Sequence, residues 1–430
     1  MLMSGSPIGL LLAGFGWLML SAILGLALLI GLVHGTPLPP WVRLLHVHGA
    51  LVGGVTQMIL GGFLAMLSQP PRAGQTRPRA HLLPFVTINV GTAGMLMGFG
   101  FRHNLAVAVT GLLVIGASLH LGWIIWAHAR QCPATPNRWY YTAAFLALLG
   151  GFACGEALAL APAQQSYGHV RLAHLHLGLL GFIILTGIGT VLGLLPAILK
   201  AAPATLRLTR PALIMMPLGV MLLIGGFMNS SVPMELAAGG VIFAGAALYA
   251  AVLVQTWMAS DRTGSATAEH LLIGAFFLLF TIILGVLVGM NSLSSPPFMP
   301  YGTLHVIAYT HMALLGFVLQ TIMGALSHIL PPLLAAHRVP RDNKRAPYLD
   351  RLTTIMNRWR AVQIGGLCFG TMGLGLVAAL AWNVPLTSMS IRAATWICLL
   401  LLLSSLLLFS VKLAMAVGQQ PEEMPHPAAP

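Results

Sequence analysis

The sequence predicts an all-α membrane protein of about twelve transmembrane helices, with both termini in the cytoplasm. Apolar residues make up 57% of the 430-residue chain and charged residues only 7%. A soluble domain usually carries about 25% charged residues, so this chain has too few to cover a water-exposed surface. Lipid must therefore surround most of the protein.

The apolar residues form long runs, and a run of about 20 residues crosses a bilayer as a helix. The first run is too long for the apolar core of a signal peptide and has no basic start, so we expect it to remain as an anchor. One membrane domain then covers residues 1–418, followed by a disordered cytoplasmic tail at 419–430. The predicted spans are 9–34, 43–68, 82–101, 103–128, 138–162, 171–199, 209–230, 233–256, 269–290, 303–333, 360–381 and 391–417.

The charge distribution sets the predicted orientation. The net charge of +13 comes from 21 basic and 8 acidic residues. If the N-terminus is cytoplasmic, 17 of the 21 basic residues fall on the inner side, including the predicted basic loop 334–359, and only four on the outer side. This split follows the positive-inside rule, so the basic balance indicates topology and no nucleic-acid partner. The four outer residues are Arg43, Arg102, Arg171 and Arg392.

An internal repeat relates spans 2, 6 and 10. These spans read LLHVHGALVGG, RLAHLHLGLLGF and AYTHMALLGF, which align on His48, His176 and His311. Glycines follow each of these histidines after five and thirteen residues, and successive aligned histidines are four spans apart. The spacing predicts three pseudo-repeated four-helix units around a pseudo-threefold axis. The six glycines are Gly53, Gly61, Gly181, Gly189, Gly316 and Gly324.

The repeat places three imidazoles at one depth, because spans 2, 6 and 10 all start from the outer face. Histidine is uncommon inside bilayers, and neutral imidazole is a good ligand for iron and copper. In His46-x-His48 and His174-x-His176 the two rings lie about 200° apart on a helix. They can reach two different ligands on opposite sides of the helix, or one ring can meet interfacial water.

Two further groups bear on the chemistry. Glu156 is the one acidic residue well inside a predicted span, and a carboxylate there must pair, be protonated or contact water. A proton relay and a structural hydrogen bond both explain it. The four cysteines include no C-x-x-C-H sequence, which argues against a covalently attached c-type haem.

With HLHLGLLGFIILTGIG and HVIAYTHMALLGF on spans 6 and 10, the chain resembles subunit I of the haem-copper oxidase superfamily, especially its cbb-type oxidase and nitric oxide reductase branches. It is also similar to the NnrS family of the nitric oxide response. The resemblance implies haem b, with copper as a second cofactor, in a bacterial inner membrane. It implies NO or O₂ as a gas ligand and a separate electron donor: cytochrome c, a cupredoxin or quinol.

The same resemblance implies roles for individual histidines. His48 and His311 correspond to low-spin haem ligands, with His46 as an alternate. His176 or His174 matches a copper ligand, and His305 matches a second haem ligand on span 10. The family also takes copper ligands from helix 7, but span 7 contains no histidine, so a complete haem-copper centre is not expected.

Two other functions stay open at this point. A twelve-span secondary transporter would have two six-helix halves, and a copper-handling assembly protein would use the same histidines without redox turnover. If the protein does turn over a substrate, the resemblance implies an oxidoreductase of the oxidase or nitric oxide reductase type.

Overall fold

The computed structural model describes residues 6–67, 82–130, 138–161, 166–201, 206–261, 264–293, 303–339, 341–380 and 384–421. These residues form helices and connecting turns, and no strand occurs among them. Twelve helices are long and apolar enough to cross a membrane. The predicted span count and the multi-pass membrane class are therefore confirmed, whereas most of the predicted tail, from position 422, lies outside the described residues.

The transmembrane helices are numbered α1 to α12 in chain order. They are Pro7–Val33 (α1), Pro40–Leu67 (α2), Leu82–Gly100 (α3), Asn104–Ala129 (α4), Arg138–Leu160 (α5), Tyr167–Ile198 (α6), Leu206–Asn229 (α7), Val232–Met258 (α8), Ala266–Leu293 (α9), Thr303–Arg338 (α10), Arg360–Leu380 (α11) and Met389–Gly418 (α12).

Helix ends follow from local sequence. α1 begins at a proline, and the Ser6 side chain accepts a hydrogen bond from the Gly9 N–H at 3.1 Å, so the first turn has a good cap. The tight turns after α3 and α7 place Arg102 and Ser230 at φ 56° and 52°. A residue with that left-handed backbone cannot continue a right-handed helix.

The segment predicted as the long basic loop, 334–359, is mostly helical. α10 continues to Arg338, and a further helix, the loop helix, covers Ala346–Asn357. Tyr348, Leu352 and Met356 are buried on it at four-residue spacing. They form one apolar stripe that packs against α10 and α12, which explains why a basic stretch folds here.

Several pairs of helices that follow each other in the chain pack together. α1 packs against α2, α5 against α6, and α9 against α10, and α3–α4, α7–α8 and α11–α12 also pack as pairs. In the most apolar 18-residue stretch of α2, α6 and α10, 61%, 50% and 78% of the residues are buried inside the protein. In the other spans this share is 44% at most. The interior of the bundle is therefore built from α2, α6 and α10.

Each of these three interior helices changes to π-helical geometry at the same place relative to the repeat. The π segments are Gly49–Thr56, Leu177–Ile184 and Met312–Leu319. They begin directly after His48, His176 and His311, the residues on which the repeat aligns. π segments are rare, occur often at functional sites, and change how side chains before and after them are rotated about the helix axis.

Candidate cofactor site

A large cavity lies at the end of the bundle where α2, α6 and α10 begin. Its volume is about 1530 Å³, which exceeds the range of about 300–1,000 Å³ usual for pockets that hold one small molecule. Leucine, valine and other apolar side chains form most of its wall. Six histidines also line it: His46, His48, His169, His174, His176 and His311.

The first histidine pair joins α2 to α10. The rings of His46 and His311 have centres 6.5 Å apart and planes 11° from parallel. Nδ1 of His46 lies 2.8 Å from the main-chain oxygen of Ser21 on α1. The Ser21 hydroxyl in turn donates to the main-chain oxygen of His46 at 2.6 Å. These bonds hold the His46 ring against α1 and facing His311.

The second histidine pair joins α2 to α6. The rings of His48 and His174 have centres 6.2 Å apart and planes 21° from parallel. Nδ1 of His174 lies 2.8 Å from the main-chain oxygen of Gly151 on α5, and Nδ1 of His48 lies 2.9 Å from that of Leu44. The ring of Phe99 on α3, with its centre 4.6 Å away, packs against His48.

The hydrogen bonds determine which ring nitrogens remain for a ligand. A carbonyl oxygen only accepts, so each imidazole must carry its proton on Nδ1. Nε2 is then the unprotonated nitrogen with a free lone pair in His46, His48 and His174, and it makes no hydrogen bond to any described residue. An imidazole whose Nδ1–H is held by a carbonyl is the usual metal-binding arrangement.

Glycines let two of the rings approach the outer helices. A Cβ atom at Gly25 on α1 would lie 2.6 Å from Cε1 of His46, and one at Gly155 on α5 would lie 3.0 Å from Cε1 of His174. A Cβ atom at Gly285 on α9 would likewise lie 2.8 Å from Cε2 of Tyr309 on α10. Any larger residue at these glycines would push the ring towards the cavity.

His176 belongs to neither pair. Its Nδ1 lies 2.8 Å from the main-chain oxygen of Leu172, and its ring packs against Phe227 on α7 with centres 4.8 Å apart. His174 and His176, the predicted copper ligands, therefore face different partners. Among the described residues no three His, Cys, Asp or Glu side chains come together in a metal-binding group; the side chain of His305 is outside that set.

His311 faces His46, the alternate ligand that the resemblance implied, and not His48. His48 faces His174. The two histidines of H-x-H on α2 lie on different sides of the helix, because His46 faces α10 and His48 faces α6.

Carboxylates also line the cavity. Glu156, the predicted relay residue, is half-buried beside Gly155 on α5 and contributes to the cavity wall. Glu235, in the first turn of α8, lines it too. The sequence placed Glu235 at a span edge, and only the packing of α8 against α7 brings it to the cavity.

Sequence reasoning missed a second polar cluster, near the start of α9. His270, at the start of the predicted span 269–290, is fully buried. Its ring nitrogens contact the amides of Gln320 on α10 and Gln363 on α11, the latter at 3.0 Å. The buried Lys412 ammonium donates to the Met356 main-chain oxygen at 2.9 Å. These bonds tie α9 to α10 and α11, and α12 to the loop helix.

Comparison with known proteins leaves the chain without an assigned family: no family model matches it, and no curated protein matches it significantly.

Proposed function

We propose that this protein is a haem-binding electron-transfer protein of the bacterial inner membrane, in which His46 and His311 hold the iron of haem b. The observation that carries the proposal is the His46–His311 pair: two imidazoles from different helices that face each other in an apolar cavity.

The ring spacing fits one iron between the two imidazoles. A bond from a metal to an imidazole nitrogen is about 2.0 Å long, and the ring centre lies roughly 1 Å behind that nitrogen. Two imidazoles on opposite sides of one ion then have centres roughly 6 Å apart. The observed separation is 6.5 Å, so the pair needs little movement to reach this geometry.

The residues around the pair have definite tasks. Ser21 orients His46, and its carbonyl makes the imidazole a stronger electron donor to a metal by accepting a hydrogen bond from Nδ1–H. The apolar wall excludes water, and burial and hydrogen bonding of this kind tune the reduction potential of a haem site. A bound haem supplies reversible one-electron chemistry. If His46 and His311 both hold the iron, no open position would remain on it, and the site would favour electron transfer over binding of NO or O₂.

The contacts support the pseudo-threefold arrangement as part of this proposal. Gly25, Gly155 and Gly285 are each 130 residues apart (155 − 25 and 285 − 155), and they lie against His46, His174 and Tyr309. A Cβ atom at Gly53, Gly181 or Gly316 would meet Trp17, Ala147 or Phe277, which are again 130 residues apart (147 − 17 and 277 − 147). The first helix of each unit thus meets the second in one register.

This four-helix register supports a haem-copper oxidase-like relative better than a transporter, which would repeat after six helices. The oxidase and nitric oxide reductase resemblance supports a role in respiratory electron transfer or nitric oxide metabolism. A separate cytochrome c, cupredoxin or quinol would supply the electrons. The charge asymmetry supports cytoplasmic termini, with the histidine cavity on the outer side.

The test is a reduced-minus-oxidised visible spectrum of the purified full chain together with a haem assay. We expect a low-spin b-type spectrum. His46→Ala or His311→Ala should each abolish this pair's signal while the protein is still inserted in the membrane. Carbon monoxide should bind the reduced wild type weakly and these variants more strongly, because each opens an axial position. Wild-type protein that takes up no haem would refute the proposal.

A further inference from the structure

We propose that the chain holds a second haem, at a separate site between α2 and α6, with His48 and His174 as its axial ligands. This inference rests on the proposed function, because it assumes that the cavity takes haem. It goes beyond the family resemblance, which implies a copper role for His174 and pairs His48 with His311.

The second pair satisfies the same requirements as the first. Its ring centres are 6.2 Å apart, close to the roughly 6 Å expected for two imidazoles across one metal ion. Both Nδ1 atoms contact main-chain carbonyls, so both Nε2 atoms carry the free lone pair. The two rings come from different helices, as a ligand inserted between those helices requires.

The two pairs are separate sites. An iron in a haem has two axial positions, so four imidazoles serve two irons. His46 and His48 point about 200° apart around α2, one towards α1 and α10 and the other towards α3 and α6. One macrocycle therefore cannot use both.

The repeat relates the two pairs to each other. The repeat aligns on His48, His176 and His311. His48 faces His174, which is two positions before His176 on α6. His311 faces His46, which is two positions before His48 on α2. The third helix has Tyr309 at this position. An aligned histidine thus faces a second histidine at two of the three interfaces between units.

The cavity offers room and charge for a second group. Its volume of about 1530 Å³ exceeds that of pockets for single small molecules. Arg43 and Arg171 line it near its outer end, and each lies three residues before a ligand histidine, as R-x-x-H-x-H on α2 and on α6. The propionates of haem are carboxylates, and arginine is well suited to bind carboxylates.

Haem stoichiometry tests the inference on the full-length protein. Wild type should carry two haems per chain. His48→Ala and His174→Ala should each reduce the content to one, and that remaining haem should keep a low-spin spectrum. His328→Ala is the control, because His328 is also a histidine of a transmembrane helix, α10, but lies outside the cavity wall; it should retain both haems.

A rescue experiment separates a lost ligand from misfolding. In His174→Gly, free imidazole should restore the second low-spin signal in the electron paramagnetic resonance spectrum, because the small ligand can enter the space that the ring vacated. Two haems retained in both His48→Ala and His174→Ala, or loss of haem in His328→Ala, would overturn the inference. If wild type carries one haem and only His46→Ala or His311→Ala loses it, the second haem site is refuted and the proposed function stands. If wild type carries no haem, both proposals are refuted.

Discussion

Replacing Gly25 by alanine tests the His46–His311 site from behind the ring. The new Cβ atom would lie 2.6 Å from Cε1 of His46, whereas carbon atoms in contact are about 3.5 Å apart or more. The ring must therefore move by about 0.9 Å, or α1 must move away from α2. Because alanine favours helix more than glycine does, α1 itself should not be weakened.

The displacement is large for a ligand site. Metal and cofactor ligands must stay within about 0.5 Å of their working position, and loss of a residue that orients a ligand typically lowers metal affinity by about 10- to 100-fold. We therefore expect Gly25→Ala to lower haem affinity at this site by roughly tenfold or more. Gly155→Ala displaces His174 by only about 0.5 Å, from 3.0 Å to contact distance, so its effect should be smaller.

The assay is haem titration of the purified apoprotein, followed by visible spectroscopy. Gly16→Ala, also on α1, is the control, because no other residue lies within 4 Å of its new Cβ atom; its affinity should equal that of wild type. Equal haem affinity for Gly25→Ala and Gly16→Ala would show that His46 is not a ligand held against α1, and the reasoning would fail.

Three further predictions concern other residues. Glu156→Gln should leave haem content unchanged and slow any proton-coupled turnover if Glu156 relays protons; unchanged turnover would remove that role. Lys412→Met should remove the bond to the Met356 carbonyl, cost about 1–3 kcal/mol and raise hydrogen exchange in the loop helix, with both haems retained; unaltered exchange would contradict this. The copper prediction is tested by metal analysis: copper bound through His176 should be lost in His176→Ala while haem stays, and wild type without copper would refute it.

The membrane class follows from sequence because it depends on summed transfer energies along a single helix. Each span buries about 20 residues whatever its neighbours are, and the twelve predicted spans correspond to the twelve helices. The loop helix shows where this reasoning ends. Its twelve residues carry one acid and one base and are less apolar than a span. They fold because Tyr348, Leu352 and Met356 pack on an apolar surface of α10 and α12.

Local sequence also singled out the histidines. H-x-H on spans 2 and 6 and the repeat on span 10 are visible without any contact information, and they selected five of the six histidines that line the cavity. The sixth is His169. His270 shows the limit of the same rule: it lies four residues inside the start of α9, and only the amides of Gln320 and Gln363 reveal that it is buried and bonded.

By itself, the sequence determined that the chain has twelve segments long and apolar enough to cross a membrane and carries imidazoles on segments 2, 6 and 10. Only the tertiary structure decided which imidazole faces which. His46 and His311 are 265 positions apart (311 − 46), and their meeting depends on how each helix is rotated about its axis and how closely Gly25 lets α1 approach α2. Those rotations are set by packing between helices, which hydrophobic periodicity within one helix does not encode.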